Sequence, residues 1–397
     1  MRVRSLSLTD FRSYARAEVE FAAGLTAVVG PNGQGKTNLL EAISFAAGLG
    51  SLRGASEAAL IRDGAEAAVV RCLAEASDGR EVRIEAELAR SRPNRVRVNN
   101  QPVSRRRDLV GVLTATVFSP EDLDLVKGEP ARRRRWIDDA LTAVRPSLGA
   151  LRSEVDRILR QRNTLLRQAG GRASGDVAIT LDVWDSRLAT AGDELRACRQ
   201  ELLDALEPRI RSHYAQIAKD RSDADSGYVS SWGDGSLAVA LAAARPDDLR
   251  RATSTVGPHR DDVLLRIGGL PARSHASQGE QRSLALALRL AVDAEVRERR
   301  DVQPVLLLDD VFSELDADRA AALLDALPRS QRILTTATGL PAGVRSDQLI
   351  RLTGGAAQTV VVAEPPLEAP PIDERIQPTR GGAVARAARE RSEQERE

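Results

Sequence analysis

Residues 25–48 read LTAVVGPNGQGKTNLLEAISFAAG, an apolar run, then a glycine-rich turn, then a helical period that ends at Gly48. Leu39, Leu40, Ile43 and Ala47 fall on one face of a helix opening at Lys36. A strand that feeds such a turn into a helix is the context a phosphate-binding loop requires. Glycines let backbone N–H groups close around phosphate oxygens, and the helix start adds its positive end. In that reading Gly30, Pro31, Asn32, Gly33, Gln34 and Gly35 form the cradle. Lys36 reaches the β and γ oxygens, Thr37 offers its hydroxyl to magnesium, and Asn38 closes the turn. Lys36, Lys127 and Lys219 are the only lysines among 58 basic residues, so composition does not explain a lysine at this spacing.

Further along, Pro304-Val-Leu-Leu-Leu-Asp309-Asp310 reads as a buried strand ending in two carboxylates. Asp309 is expected to hold magnesium together with Thr37, and Asp310 to face an attacking water. Alone, a strand ending in Asp is often only a turn; together with the Lys36 loop it points to a triphosphate. Ser277-Gln-Gly-Glu280-Gln281 heads the preceding helix. Ser277 and Glu280 make a capping box, and the same helix end, with a hydroxyl and Gly279, is suited to an anion.

Both chain ends alternate short strands with helices, whereas residues 121–245 carry a helical pattern. Leu181, Trp184, Leu188, Ala191, Leu195, Cys198 and Leu202 step by three and four. Leu148, Leu151, Val155, Ile158 or Leu159, and Leu165 do so upstream, with AGGRASGD at 169–176 between the two stretches. The expected architecture is α/β. One head is built from residues 1–120 and 246–364, a lobe at 121–245 contains a short antiparallel coiled-coil-like hairpin with its tip near Gly170, and residues 365–397 form a disordered tail.

The 397 residues carry 58 Lys+Arg against 57 Asp+Glu, a net charge of +1, which excludes a globally basic nucleic-acid binder. Eleven aromatics are too few for a base-stacking platform, and two cysteines with three histidines cannot build a zinc site or a disulfide framework. His259-Arg260-Asp261-Asp262 offers too few ligands for a metal and reads as a turn entering a strand at Val263. With no span-length apolar run and no signal-type N-terminus, the chain is expected in the cytoplasm, away from membranes. DNA contact must then come from local acid-free clusters. Residues 92–107 hold six arginines, among them Arg95, Arg97, Arg105, Arg106 and Arg107; residues 157–172 hold five, among them Arg160 and Arg162; Arg132 to Arg135 form a run.

GPNGQGKT, SQGEQ, LLLDD and VFSELD together resemble the ABC/SMC-type ATPase heads. TDFRSY at 9–14, FSPEDLDLVKGEPARRRRWID at 118–138, GPHRDDV at 257–263 and DDVFSELD at 309–316 resemble more narrowly the RecF family of recombination mediators. The resemblance implies two heads closing on ATP and Mg²⁺, with Ser277, Gly279 and Gln281 meeting the partner's γ-phosphate, Ser313 to Asp316 crossing the interface, and Arg12 near the nucleotide. It also implies a weak, DNA-dependent ATPase acting as a binding switch in repair, replication and the SOS response. Its partners would be gapped, single-stranded or junction DNA, a second copy of the chain, and RecR- and RecO-like mediators. Asp310 in place of the usual Glu, and Thr336 or a neighbouring threonine in place of a switch His, imply slow hydrolysis; no Gln-loop glutamine is assignable. A transporter ATPase subunit and a structural SMC-like protein are the alternatives; the Arg-rich arm argues against the first and its shortness against the second.

Overall fold

The computed structural model describes residues 1–103, 106–172, 174–218, 223–313, 315–337, 339–340, 344–353 and 360–364, without the side chains of 106, 107 and 360–364. The expected tail and Arg105 lie outside the described residues, as do the side chains of Arg106 and Arg107.

Strand Leu25–Val29 lies inside a six-stranded sheet ordered Val360–Glu364, Gln348–Thr353, Leu25–Val29, Arg332–Thr336, Val305–Asp309 and Ala115–Phe118. All neighbours are parallel except the first pair. Val305–Asp309 is buried at every residue, as befits a strand covered on both faces. The parallel arrangement brings the C-terminal ends of Leu25–Val29, Val305–Asp309 and Ala115–Phe118 to one edge, where loops carrying ligand groups gather.

A second, antiparallel sheet is ordered Tyr14–Glu20, Arg2–Phe11, Ala67–Glu75, Glu81–Ala89, Arg95–Val98 and Gln101–Val103. Helix Lys36–Ala46 packs between the two sheets. One apolar cluster therefore unites Leu6, Leu8, Val70 and Ile84 of the antiparallel sheet, Leu39, Leu40 and Ile43 of the helix, and Leu307 and Ile333 of the parallel sheet. Burial on two sides makes the helix more enclosed than its single apolar face announces: Glu41 and Ser44 are also buried, and Ser44 Oγ donates to the Gly50 carbonyl.

The arm is a pair of helices, Gly149–Gln168 and Asp176–Ala218, joined across Gly170 and Gly171, whose φ of +59° and +91° suit glycine. Val155, Ile158 and Leu159 are buried with Leu188, Leu195 and Leu202 in one cluster. At the end of the first helix Leu166 is buried where Leu165 was expected. The second helix does not stop with the arm. It continues for 43 residues through Pro208, roughly 65 Å at 1.5 Å per residue, and packs along helix Gln278–Arg300 with Leu206, Ile210 and Tyr214 buried.

The region with a helical pattern, 121–245, also contains a strand. Ala224–Val229 pairs antiparallel with Asp262–Ile267, so a boundary at 245/246 would cut a three-stranded sheet. ADSGYV has almost no apolar alternation to announce it. No helix among the described residues is long and apolar enough to cross a membrane.

Candidate nucleotide-binding site

The phosphate loop starts where strand Leu25–Val29 ends, and its conformation depends on its glycines. Gly33 and Gly35 have φ of +83° and +93°, and a Cβ on Gly35 would stand 2.8 Å from Ser13 Oγ and 2.9 Å from the Tyr14 hydroxyl oxygen. A Cβ on Gly30 would meet the Leu352 carbonyl at 2.9 Å. Tyr14, donating to the Gly35 carbonyl at 3.0 Å, and Asn38, donating to Ser13 Oγ at 2.9 Å, hold the loop against the antiparallel sheet.

Lys36 is buried, and its ammonium donates to the carbonyls of Gly30 at 2.6 Å and Pro31 at 2.9 Å and to Asn32 Oδ1 at 3.4 Å. Burial lowers its pKa, with Asp310 and Asp309 opposing that shift. Thr37 Oγ1 donates to Asp309 Oδ1 at 2.9 Å, and Thr335 Oγ1 donates to the same oxygen at 2.6 Å. Burial raises the Asp309 pKa while these two hydroxyls lower it. The adjacent Asp310 stands at φ +49°, its N–H bonded to the Thr335 carbonyl and hydroxyl, and its Oδ1 is buried without a hydrogen-bond partner among the described residues.

These groups fit magnesium: a hydroxyl and two acidic oxygen ligands are the hard donors it takes, and a buried carboxylate beside an orphaned carboxylate oxygen calls for a cation. Thr37 and Asp309 would hold the ion. The expected threonine at the switch position divides into two: Thr335 reaches the acids, whereas the Thr336 hydroxyl donates to the Gly339 carbonyl at 2.9 Å.

Arg12, in left-handed backbone at φ +53°, is held by Glu41 through two bonds of 2.7 and 3.0 Å and by the Ala59 carbonyl at 3.0 Å. It lines an open hollow of about 620 Å³ together with Ser13, Asn38, Asp63 and Arg90, beside the loop. Two neighbours of the acid pair escaped sequence reading. Glu121 raises and Arg53 lowers the Asp309 pKa, and Arg53 Nε stands 4.0 Å from Glu121 Oε1. Arg53 lies in a loop and Glu121 in the 3-10 turn Pro120–Asp122, and their approach to Asp309 depends on tertiary packing alone.

At the signature helix, Ser277 is exposed and forms the expected box: its N–H donates to Glu280 Oε2 at 2.6 Å, and its hydroxyl accepts from Glu280 N at 3.3 Å. Gln281 corrects the expectation. Its side chain is 4% exposed, and its Nε2 donates to the carbonyls of Ala272 at 2.9 Å and Arg273 at 3.2 Å, so it braces the preceding turn and cannot meet a partner's phosphate. Ser313 Oγ turns back to the Asp310 carbonyl, and Asp316 caps helix Ala317–Ala326; Glu314 lies outside the described residues. Arg289 fastens the helix to Asp122 at 2.7 Å, and Asp293 accepts from Thr116 at 2.7 Å, both groups following or lying on the strand beside Val305–Asp309.

The arginine clusters divide by burial. Arg162 is another correction. It is fully buried, bonded to Asp248 at 2.6 Å, to Ser254 at 2.8 Å and to Asp185 at 2.5 Å, and cannot touch DNA. Arg160, two residues earlier, is exposed. Arg95 and Arg97 are exposed, but they stand directly across the sheet from Glu87 and Glu85, so a stretch without acids in sequence faces acids in space. In the 132–135 run, Arg133 is buried in a two-bond pair with Asp262, and Arg134 donates to the Asp261 carbonyl at 2.7 Å. The HRDD residues are spoken for in the same way: Asp261 accepts from Tyr228 and from Ser231 N, and His259 Nε2 meets the Ser254 carbonyl at 3.0 Å.

The family model described as RecF/RecN/SMC N terminal domain matches residues 2–353. The DNA replication and repair protein RecF of Frankia alni (strain DSM 45986 / CECT 9034 / ACN14a) is 43% identical over 372 residues, 89% of this chain and 96% of its own length. The chain belongs to the RecF family. A solved structure described as the recombination mediator protein RecF-ATP in RecFOR pathway aligns with a TM-score of 0.84 at 27% identity, covering 91% of this chain and 97% of the other. An Smc head bound to the C-winged helix domain of ScpA aligns with a TM-score of 0.56 at 19% identity, covering 92% and 98%, a likeness of fold alone. The RecF-family head thus follows the SMC/ABC ATPase plan expected from its motifs.

Proposed function

We propose that this RecF-family chain is an ATP-dependent DNA-binding protein of recombinational repair and replication. The meeting of Thr37 and Asp309 at 2.9 Å beside Lys36 carries the reading, because it joins the phosphate loop to the carboxylate strand in one magnesium-ready pair. Two heads close when each presents its phosphate loop to the other's Ser277 helix end, and the closed pair clamps gapped or junction DNA in the cytoplasm. In that state it supports RecA loading and SOS induction with RecR- and RecO-like mediators. The solved structures described as the recombination mediator protein RecF-ATP and RecF-ATPrS in RecFOR pathway support this reading.

Magnesium, when bound, neutralises the β and γ phosphates. Lys36 and the loop amides bind and orient the triphosphate, and Gly279 with Ser277 receives it from the neighbour. Asp310 orients water from a shorter side chain than Glu and from left-handed backbone, so hydrolysis is slow and ATP acts mainly as a ligand that shifts a monomer–dimer equilibrium. DNA is held through phosphates by arginines, the exposed Arg160 foremost among the described residues, with Arg95 and Arg97 contributing less because acids face them; the 105–107 run is a further candidate from sequence alone.

Sedimentation with and without ATP, then with gapped DNA, tests this. The wild-type chain dimerises on ATP and binds DNA, and Lys36→Ala does neither. Unchanged nucleotide affinity in Lys36→Ala overturns the phosphate-loop assignment.

A further inference from the structure

We propose that Arg319 is a phosphate-binding residue of the interface half-site, acting with Ser277 on the ATP that the neighbouring head carries; this rests on the two-head reading above. Arg319 stands in the first turn of helix Ala317–Ala326, and its guanidinium lies against Gly279 at the head of the signature helix. A Cβ built on Gly279 would sit 2.5 Å from Nη1, 3.0 Å from Cζ and 3.2 Å from Nη2. The space that a larger residue would fill is therefore taken by a guanidinium from the chain's own next helix.

That is an unfavourable place for a cation. The first turn of helix Gln278–Arg300 carries the positive end of the helix dipole, which repels Arg319 unless an anion joins them. The nearby carboxylates do not supply a buried one. Asp316 accepts from Arg319 Nη1 at 2.9 Å but is 54% exposed and already caps its own helix through Arg319 N at 2.8 Å. Glu280 is turned back onto Ser277 N. The Arg319 side chain is 29% exposed, and its Nε is buried without a hydrogen-bond partner among the described residues. The Ser277 hydroxyl, which accepts from Glu280 N and keeps its own proton to donate, thus stands at the exposed start of the helix against whose Gly279 the guanidinium packs. With Nη1 on Asp316 and Nε buried, Nη2 is the guanidinium nitrogen left to give a γ-phosphate oxygen a charge-assisted bond beside that of Ser277.

The test uses the full chain with Arg319→Met, which keeps the aliphatic contact and removes the charge, and Arg319→Lys, which restores a charge. ATP affinity of the monomer and ATP-induced dimerisation are measured separately. Arg319→Met is expected to leave monomer affinity within about twofold and to weaken dimerisation about 10- to 100-fold, the range for losing a charge-assisted bond. Arg319→Lys recovers part of the loss, and the deficit is larger with ATP than with ADP. Should Arg319→Met fail to fold, Arg319→Gln is read on the same two scales. Wild-type dimerisation in the uncharged variant while Ser277→Arg stays monomeric overturns the role of Arg319 and leaves the two-head reading standing. Normal dimerisation of Ser277→Arg overturns that reading itself. Equal losses in Arg319→Met and Arg319→Lys assign the residue to packing and overturn the proposal.

Discussion

Thr37 and Asp309, 272 residues apart, meet at 2.9 Å, and Thr335 closes on the same carboxylate oxygen from the strand between theirs. Parallel pairing produces the meeting, since Asp309 lies opposite Thr335 in register and Thr335 opposite Val28. The consequence is a carboxylate held in a buried place by two hydroxyls, at the end of its strand.

Burial raises the Asp309 pKa, so the charged group weighs against the nucleotide-free fold at neutral pH. A carboxylate whose folded pKa exceeds its unfolded value loses stability as pH rises through that window. Asp309→Asn is therefore expected to raise the thermal midpoint of the nucleotide-free protein. It should also weaken magnesium-dependent ATP affinity at least about tenfold, reducing the extra stabilisation by Mg²⁺-ATP. Thermal scans with and without Mg²⁺-ATP read both effects, and a lowered midpoint without nucleotide would contradict the account.

Gly35→Ala combines backbone at φ +93° with a Cβ 2.8 Å from Ser13 Oγ. It is expected to cost about 1–3 kcal/mol of stability and most nucleotide binding. Gly33→Ala shares the positive φ, but its Cβ meets nothing within 4 Å, so its stability loss should be smaller. Denaturant titration of the two variants ranks them, and the reverse order would sink the steric argument.

Arg162 joins both arm helices to helix Leu237–Arg251 through Asp185 and Asp248. Arg162→Ala leaves Asp248 buried without its cation while Asp185 keeps Arg245, at about 3–5 kcal/mol. The salt dependence of DNA binding, measured where the variant is folded, should be unchanged. Arg160→Ala should do the opposite, leaving stability within about 0.5 kcal/mol and reducing the salt slope.

Burial lowers the His259 pKa to about 4, from the ordinary histidine value of 6.5. The unfolded chain therefore binds a proton between those values that the folded chain does not. Stability is complete above pH 6.5 and falls as pH drops toward 4, by about 2 kcal/mol between pH 7 and 5 for this group. Denaturant midpoints at the two pH values should separate less in His259→Gln than in the wild type; equal separation would place the acid sensitivity elsewhere.

The candidate site's local geometry was legible in the chain. A strand, a glycine turn, Lys36 and Thr37 within thirteen residues, or Ser277 three residues before Glu280, define their geometry by spacing alone. The α/β head fold was legible for the same reason, through apolar period and turn residues. What spacing does not encode is which groups the fold brings face to face. Arg162 and Arg160 are both arginines on one helix two residues apart, yet the helical twist sends one into a cluster of acids and leaves the other in water. Gln281 sits one position past Glu280 and is thereby turned inward. Glu85 and Glu87 oppose Arg97 and Arg95 only because adjacent strands are registered that way. Sequence determined which chemistry the chain carries. Tertiary packing decided which charges remain free to use it, because burial and pairing depend on neighbours far away along the chain.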